Sequence, residues 1–290
     1  MMASNVSRDV SQDQSSVVQT CKPWYAFATV AAGRFVRFAS RVTKHGGSAL
    51  PGKVVEKIDP GFLTRTLGQL PLGVVLVSGT NGKTTTTSMC THIFMAAEAD
   101  PTVMIGGTLP LLHAGYRVGQ GDTIILESCE YCNSFLSFFP TVAVILNIEA
   151  DHLDFFKDLD DVEHSFRAFA DRVPESGIIV ANADDANTMH TLEGEERPVL
   201  TFGLEQGDVR AANLAWNRGL PSFDVVYRGD VFTHVALRVP GEHNVKNALA
   251  AAACALVLGA TDTAVGEGLL TFRPLEHRIE PAGLVDGCLL

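Results

Sequence analysis

No stretch of the sequence reaches the roughly 18 consecutive apolar residues that a membrane span needs. The first twenty residues, which include "SNVSRDVSQDQSS", are too polar for a secretory signal. Cysteine is sparse: Cys21, Cys90, Cys129, Cys132, Cys254 and Cys288 are scattered, and only Cys129 and Cys132 lie close together. That spacing excludes a disulfide framework and points to a reducing, cytoplasmic setting. Positive charge is also short, with 22 Lys and Arg against 33 Asp and Glu and a net charge of −11. Nucleic acid is not expected as a partner, because neutralising phosphates needs an excess of cations on the contact face. Internal repeats are lacking too. What remains is 46% hydrophobic and 19% charged over 290 residues, the composition of a soluble globular chain with room for one large domain or two small ones.

One shortage is local. Between Asp13 and Glu56 there is no acidic residue, while Lys22, Arg34, Arg37, Arg41, Lys44 and Lys53 all fall there. Trp24, Phe27, Ala31, Phe35 and Phe38 recur among them at helical spacing, which predicts a basic amphipathic helix. Its apolar stripe reads first as a face packed on a protein core. The other reading is membrane-surface contact by residues 22–45. Residues 1–21 read as a disordered tail, 22–53 as this helix with the turn-rich hinge "HGGSALPG", and 54–290 as the main domain.

Within that domain a short helix over "PGFLTRTLGQL" leads into "GVVLVSG", a β-branched run of the kind that forms a buried parallel strand. Similar runs follow at "DTIILES", "TVAVILNI", "GIIVANAD" and "PVLTFG". Helical segments such as "TTTSMCTHIFMAAEA" and "VEHSFRAFADRV" lie between them. Strands alternating with helices predict an α/β fold with a doubly wound, mostly parallel sheet. From about 208 to 240 short alternating runs predict a small antiparallel sheet. Two helices follow, over "NVKNALAAAACALVLG" and near "DTAVGEGLL".

The chemistry starts at "LVSGTNGKTTTTSM". A strand, a glycine-rich turn and a helix start form the setting in which backbone N–H groups cradle phosphate. Gly79 and Gly82 let the backbone approach an anion, with Thr80, Asn81 and Thr85 around them. Lys83 supplies a cation for the β and γ phosphates, and Thr84 is placed for Mg²⁺. The usual G-x-x-x-x-G-K-[ST] spacing is not met, since Val77 occupies the first glycine position. A glycine turn before a Ser/Thr-rich helix cap is the plain alternative. Two further strand ends carry polar residues where a doubly wound sheet binds ligands. "LESCEY" offers Glu127 and Glu130, and "NIEADHLDFF" offers Asn147, Glu149, Asp151, His152 and Asp154. A hard carboxylate and an imidazole from neighbouring strand ends can complete the shell of a nucleotide-bound Mg²⁺. Read singly, each is an ordinary solvated loop start.

Together "GTNGKTTTTSM", "ESCEYCNSFL", "NIEADHLDFF", "VANADD" and "PGEHNVKNALAA" resemble the Mur ligase family of ATP-dependent amide ligases, most closely its alanine-adding branch. The resemblance implies that Lys83 and Thr84 bind ATP phosphates and Mg²⁺, and that Glu127 and His152 ligate the metal. It makes Lys83, Glu127 and His152 the catalytic set, with Glu130 and Asn147 as further candidates. His243, Asn244 and Asn247 match the family's "HNxxN" on the adenine side, and Arg278 matches an arginine near the phosphates. The implied substrates are UDP-N-acetylmuramate and L-alanine, joined through an acyl phosphate.

Some family members hold a second Mg²⁺ with a carbamoylated lysine. "HSFRAFADRV" has no lysine, as in the alanine-adding branch. The lead-in "GGSALPGKVVEKIDPGF" is closer to the subunit that amidates lipid II with a partner glutaminase, and "FRPLEHRIEPAGLVDG" is closer to the glutamate-adding branch. The amidating subunit carries a four-cysteine zinc ribbon. Only Cys129 and Cys132 stand here at such spacing, so that ribbon is not expected and the two are expected to pack beside the metal site. The family's UDP-binding and closing domains are not recognisable, so the expected unit is the central ATP-binding domain, with a protein partner as one source of the rest. Lipid II amidation and a non-catalytic ATP-binding module stay open beside alanine ligation.

Overall fold

The computed structural model describes residues 73–274, together with the backbone of two short paired strands, Leu284–Val285 and Cys288–Leu289. The chain divides into two units, 1–66 and 67–290, and every described residue belongs to the second. The expected tail, the basic helix and hinge of 22–53, the helix over "PGFLTRTLGQL" and Arg278 lie outside the described residues.

Side-chain alternation along β1 (Gly73–Ser78) sets the architecture. Val75 and Val77 enter one apolar cluster, whereas Val74 and Leu76 enter a second on the opposite face, so β1 is buried on both sides. Seven more strands of the same sheet follow in order. They are β2 (Thr102–Leu109), β3 (Ala114–Arg117), β4 (Thr123–Glu127), β5 (Val142–Ile145), β6 (Ile178–Asn182), β7 (Val199–Gly203) and β8 (Val209–Asn217), and β9 (Leu220–Tyr227) and β10 (Asp230–Ala236) complete it. The ten-stranded order is β10-β9-β8-β7-β6-β5-β1-β4-β2-β3. Strands β2, β4, β1, β5, β6, β7 and β8 pair in parallel, and antiparallel hairpins close both edges. The antiparallel stretch expected near 208–240 is thus an extension of the main sheet, because β8 pairs in parallel with β7 through Phe202↔Val209 before turning back.

On the first face lie α1 (Lys83–Ala96), α4 (Glu242–Val257) and α5 (Asp262–Thr271); on the second lie α2 (Leu159–Ala170) and, shorter, α3 (Ala186–Thr191). Helix α4 is buried almost all round because its inward positions are alanines, which let the backbone lie close to sheet and neighbours. Helix α5 approaches α1 so closely that a Cβ on Gly268 would sit 2.5 Å from the Ile93 Cα. Helix α2 works differently. Asp158 caps it by accepting from the Asp161 N–H (3.0 Å), and Val162, Phe166 and Phe169 form one apolar stripe. Phe135, from the 3-10 segment Tyr131–Ser137, stacks on Phe169 and meets Phe166 edge-on, which pins the loop after β4.

The connections decide where the site lies. β1 leads through α1 to β2 on one side, while β4 leads to β5 on the other side of β1. At such a reversal the loops diverge and leave a crevice at the carboxyl ends of the strands.

Candidate active site at the strand-end crevice

The loop after β1 is stitched to the end of β5. Thr80 N donates to Asn147 O (3.0 Å) and Asn81 N to Asn147 Oδ1 (2.7 Å), while Asn147 Nδ2 donates to Asn81 O (3.2 Å). Glu149 N donates to Thr80 Oγ1 (2.9 Å). Gly82, with φ of 85°, is the cap residue of α1, a backbone state that favours glycine. No side chain caps α1. Its first-turn N–H groups, which have no intrahelical partner, are therefore open to an anion. The buried hydroxyls of Thr87, Ser88 and Thr91 are satisfied locally, each donating to the carbonyl four residues back.

Beside the loop is a charged cluster. Lys83 Nζ donates to Gly79 O (2.5 Å), Thr80 O (3.1 Å) and Glu130 Oε2 (3.2 Å). Thr84 Oγ1 donates to Glu127 Oε1 (3.3 Å). Glu130 is only 1% exposed, and its other oxygen, Oε1, has no hydrogen-bond partner and lies 3.8 Å from His152 Nε2. A carboxylate so buried needs compensating charge, which the Lys83 ammonium supplies through its 3.2 Å contact with Oε2. Cys129 Sγ lies 3.7 Å from the same His152 nitrogen and accepts from Tyr131 N (3.4 Å). Burial pushes the Cys129 thiol above its ordinary pKa. His152 itself has φ of 54°, and the Tyr131 ring packs on its imidazole at 4.7 Å.

The structure thus gathers Lys83, Thr84, Glu127, Glu130 and His152. It divides the two glutamates, Glu127 meeting Thr84 and Glu130 meeting both Lys83 and His152. Among the described residues, Cys90, Cys129, Cys132 and Cys254 are free thiols.

On the other side of the loop opens a cavity of about 590 Å³ lined by Asn81, Gly82 and Thr85, by Asn147, and by His243, Asn244, Lys246 and Asn247 at the start of α4. A network joins helix to loop. Thr86 Oγ1 donates to Asn247 Oδ1 (3.3 Å), Asn247 Nδ2 to Asn244 Oδ1 (3.3 Å), and Asn244 Nδ2 to Pro240 O (2.7 Å). Asn182, Phe202, Val239 and Phe272 also stand on the wall, and motif reading singled out neither these four nor Lys246. Asn182 and Lys246 sit inside "VANADD" and "HNVKN", so their neighbours were the available signal. The three apolar residues carry none, because they differ from core residues only in facing a void. The volume falls in the range of small-molecule sites.

The Mur ligase middle domain family matches residues 77–255. The UDP-N-acetylmuramate–L-alanine ligase of Clostridium novyi is 45% identical over 213 residues, covering 73% of this chain and 46% of the relative. Its namesake in Caldanaerobacter subterraneus is 43% identical over 215 residues, covering 73% and 47%. The chain therefore spans about half the length of the curated relatives it matches. The crystal structure of UDP-N-acetylmuramate-alanine ligase from Thermotoga maritima superposes with a TM-score of 0.66 at 28% identity, covering 83% of this chain and 56% of that one. A glycine loop, acidic strand ends and an asparagine-bearing helix start meet at one crevice within the matched span, and by that match the chain belongs to the Mur ligase family through its middle domain.

Proposed function

We propose that this chain carries the nucleotide-binding and phosphate-activating part of an ATP-dependent ligase that joins L-alanine to UDP-N-acetylmuramate. One observation carries the reading. Lys83, Glu130 and His152, from three different strand ends, are drawn together beside a loop whose other side faces a nucleoside-sized cavity. The alanine-adding activity printed for the relatives supports the choice of substrates.

In this reading the α1 N-terminus and Lys83 hold the β and γ phosphates, and Asn244, Asn247 and His243 border the adenine. The donor set fits Mg²⁺, which takes hard oxygen ligands: Glu130 Oε1 is buried without a hydrogen-bond partner, with the Thr84 hydroxyl and Glu127 carboxylate nearby. These residues would hold Mg²⁺, and the ion would supply positive charge against the charge that develops on the phosphates. The substrate carboxylate takes the γ-phosphoryl group, and the alanine amine then displaces phosphate. No protein nucleophile is required, so the residues act by position and charge. Lys83 holds the transferred group, and the buried Glu130 holds Lys83 in place. Domains that close over the site, from the same longer protein or from a partner, keep water from the acyl phosphate.

The test is phosphate release from ATP with UDP-N-acetylmuramate, adding each candidate amino acid in turn. Release that rises with L-alanine and disappears in Lys83→Ala is expected. Absence of ATP binding, or release indifferent to L-alanine, overturns the reading, and release that instead needs a glutaminase and glutamine assigns the chain to lipid II amidation.

A further inference from the structure

We propose that Cys129, Glu130 and His152 form a thiolate-containing site for a borderline-soft divalent cation of the zinc class. Their ligand atoms, one sulfur, one oxygen and one nitrogen, all lie within 4.8 Å of one another. The spacings suit a small tetrahedral shell. With Zn–S near 2.3 Å and Zn–N and Zn–O near 2.1 Å, its edges are about 3.6 Å for S···N and about 3.4 Å for N···O. The structure has 3.7 Å from Cys129 Sγ and 3.8 Å from Glu130 Oε1 to the shared His152 nitrogen. A second observation points to a ligand. Glu130 Oε1 is buried, makes no hydrogen bond and lies on the His152 side of the carboxylate, while Oε2 takes Lys83.

The set is also held in advance. Asn133 N donates to Glu130 O (2.8 Å), and Phe155 N and Phe156 N donate to His152 O (2.8 and 2.9 Å). Sulfur beside imidazole and carboxylate selects zinc-like ions, whereas Mg²⁺ prefers oxygen alone. On binding, the Sγ–H bond gives its proton to solvent as the metal–sulfur bond forms, with no change of oxidation state. Three protein ligands leave a fourth position open. The inference rests on the proposed role of Glu130 as a cation ligand and adds sulfur and imidazole to it. A zinc-class ion would then compete with nucleotide-bound Mg²⁺ for Glu130.

Titrating Co²⁺ into the metal-free chain tests this, since only a thiolate ligand produces an intense near-ultraviolet sulfur-to-cobalt band. The band should appear in wild type, vanish when Zn²⁺ displaces Co²⁺, survive in Cys132→Ser and be lost in Cys129→Ser, with Zn²⁺ affinity falling about 10–100-fold or more. A metal-free melting temperature for Cys129→Ser equal to that of wild type shows that the fold is kept. Should that variant fail to fold, His152→Gln, which retains the thiol, must still weaken Co²⁺ binding and alter the band. Wild type without the band, or a band that survives in Cys129→Ser, overturns the proposal. ATP binding with Mg²⁺, measured in parallel on wild type, separates the two readings: its loss with the band intact removes the ligase reading alone, and the converse removes only the sulfur site.

Discussion

The two sides of the glycine loop are built from opposite materials. Toward β4 and β5 the crevice is ionic, with Lys83, Glu127, Glu130 and His152 crowded at strand ends. Toward α4 it is neutral, a cavity walled by amides and by Phe202 and Phe272, with Lys246 drawn to Asp184 at 3.8 Å. A nucleotide has the same asymmetry, and the loop between the two sides belongs to both. Gly82 is the joint: a Cβ there would meet Asn247 Oδ1 at 2.5 Å, so α1, which carries Lys83, and α4 are in register only because that side chain is missing.

If the two sides are separate in function, perturbing one should leave the other's property intact. The largest expected effect is from acid on the neutral side. His92 of α1 packs edge-on against Phe272 (5.5 Å, 78°), its Nε2 has no hydrogen-bond partner, and burial, aided by the charge of Arg273, lowers its pKa to about 4. The unfolded chain takes up this proton near the ordinary 6.5. Stability from neutral His92 is therefore full above about pH 6.5 and is lost progressively as pH falls toward 4, by up to about 3 kcal/mol. Denaturant unfolding across that range measures it, and His92→Gln should flatten the dependence.

Lys83→Ala comes next. Removing hydrogen bonds from an ammonium to phosphate should cost about 1.5–3 kcal/mol, or some 10–150-fold in ATP affinity. Adenosine affinity should be unchanged by calorimetry; an equal loss of both would merge the two sides into one. The smallest effect is expected for His243→Ala at the exposed lip of the cavity. It should weaken ATP and adenosine alike by about 1 kcal/mol, roughly fivefold, if the ring packs on the base.

Much of the fold is legible as pattern. The runs "GVVLVSG", "TVAVILNI" and "GIIVANAD" are β1, β5 and β6, since parallel strands buried on both faces must be continuously apolar. The hairpin of β2 and β3 is not legible, because Gly106, Gly107 and Pro110 interrupt the alternation that identifies strands. Gly106 has its own reason. A side chain there would meet Glu127 Oε1, so the strand leaves room for a carboxylate of the site. Helix α3 has only six residues, too few for a helical period to show.

The candidate site divides in the same way. Lys83 and Thr84 are recognisable from local spacing alone, because a loop between a strand and a helix start places them by its own geometry. The roles of Glu127 and Glu130 cannot be told apart in that manner. They lie three residues apart, Glu127 at the end of β4 and Glu130 at the start of a segment where Cys132 and Asn133 both take left-handed φ of 55°, a conformation with no simple sequence signature. Cys129 likewise reads as a packing residue until His152 comes within 3.7 Å of it.

The sequence by itself determined the parallel α/β architecture, the glycine-rich loop between β1 and α1 and the order of the motifs, since each depends on residues close together along the chain. Only the tertiary structure decided that Glu130 bridges Lys83 and His152, and that the asparagines of α4 close one side of the loop. Those meetings depend on strand order, on the register of β1 with β4 and β5, and on how closely an alanine-rich helix can approach α1. All three are contacts between distant parts of the chain, and no local pattern specifies them.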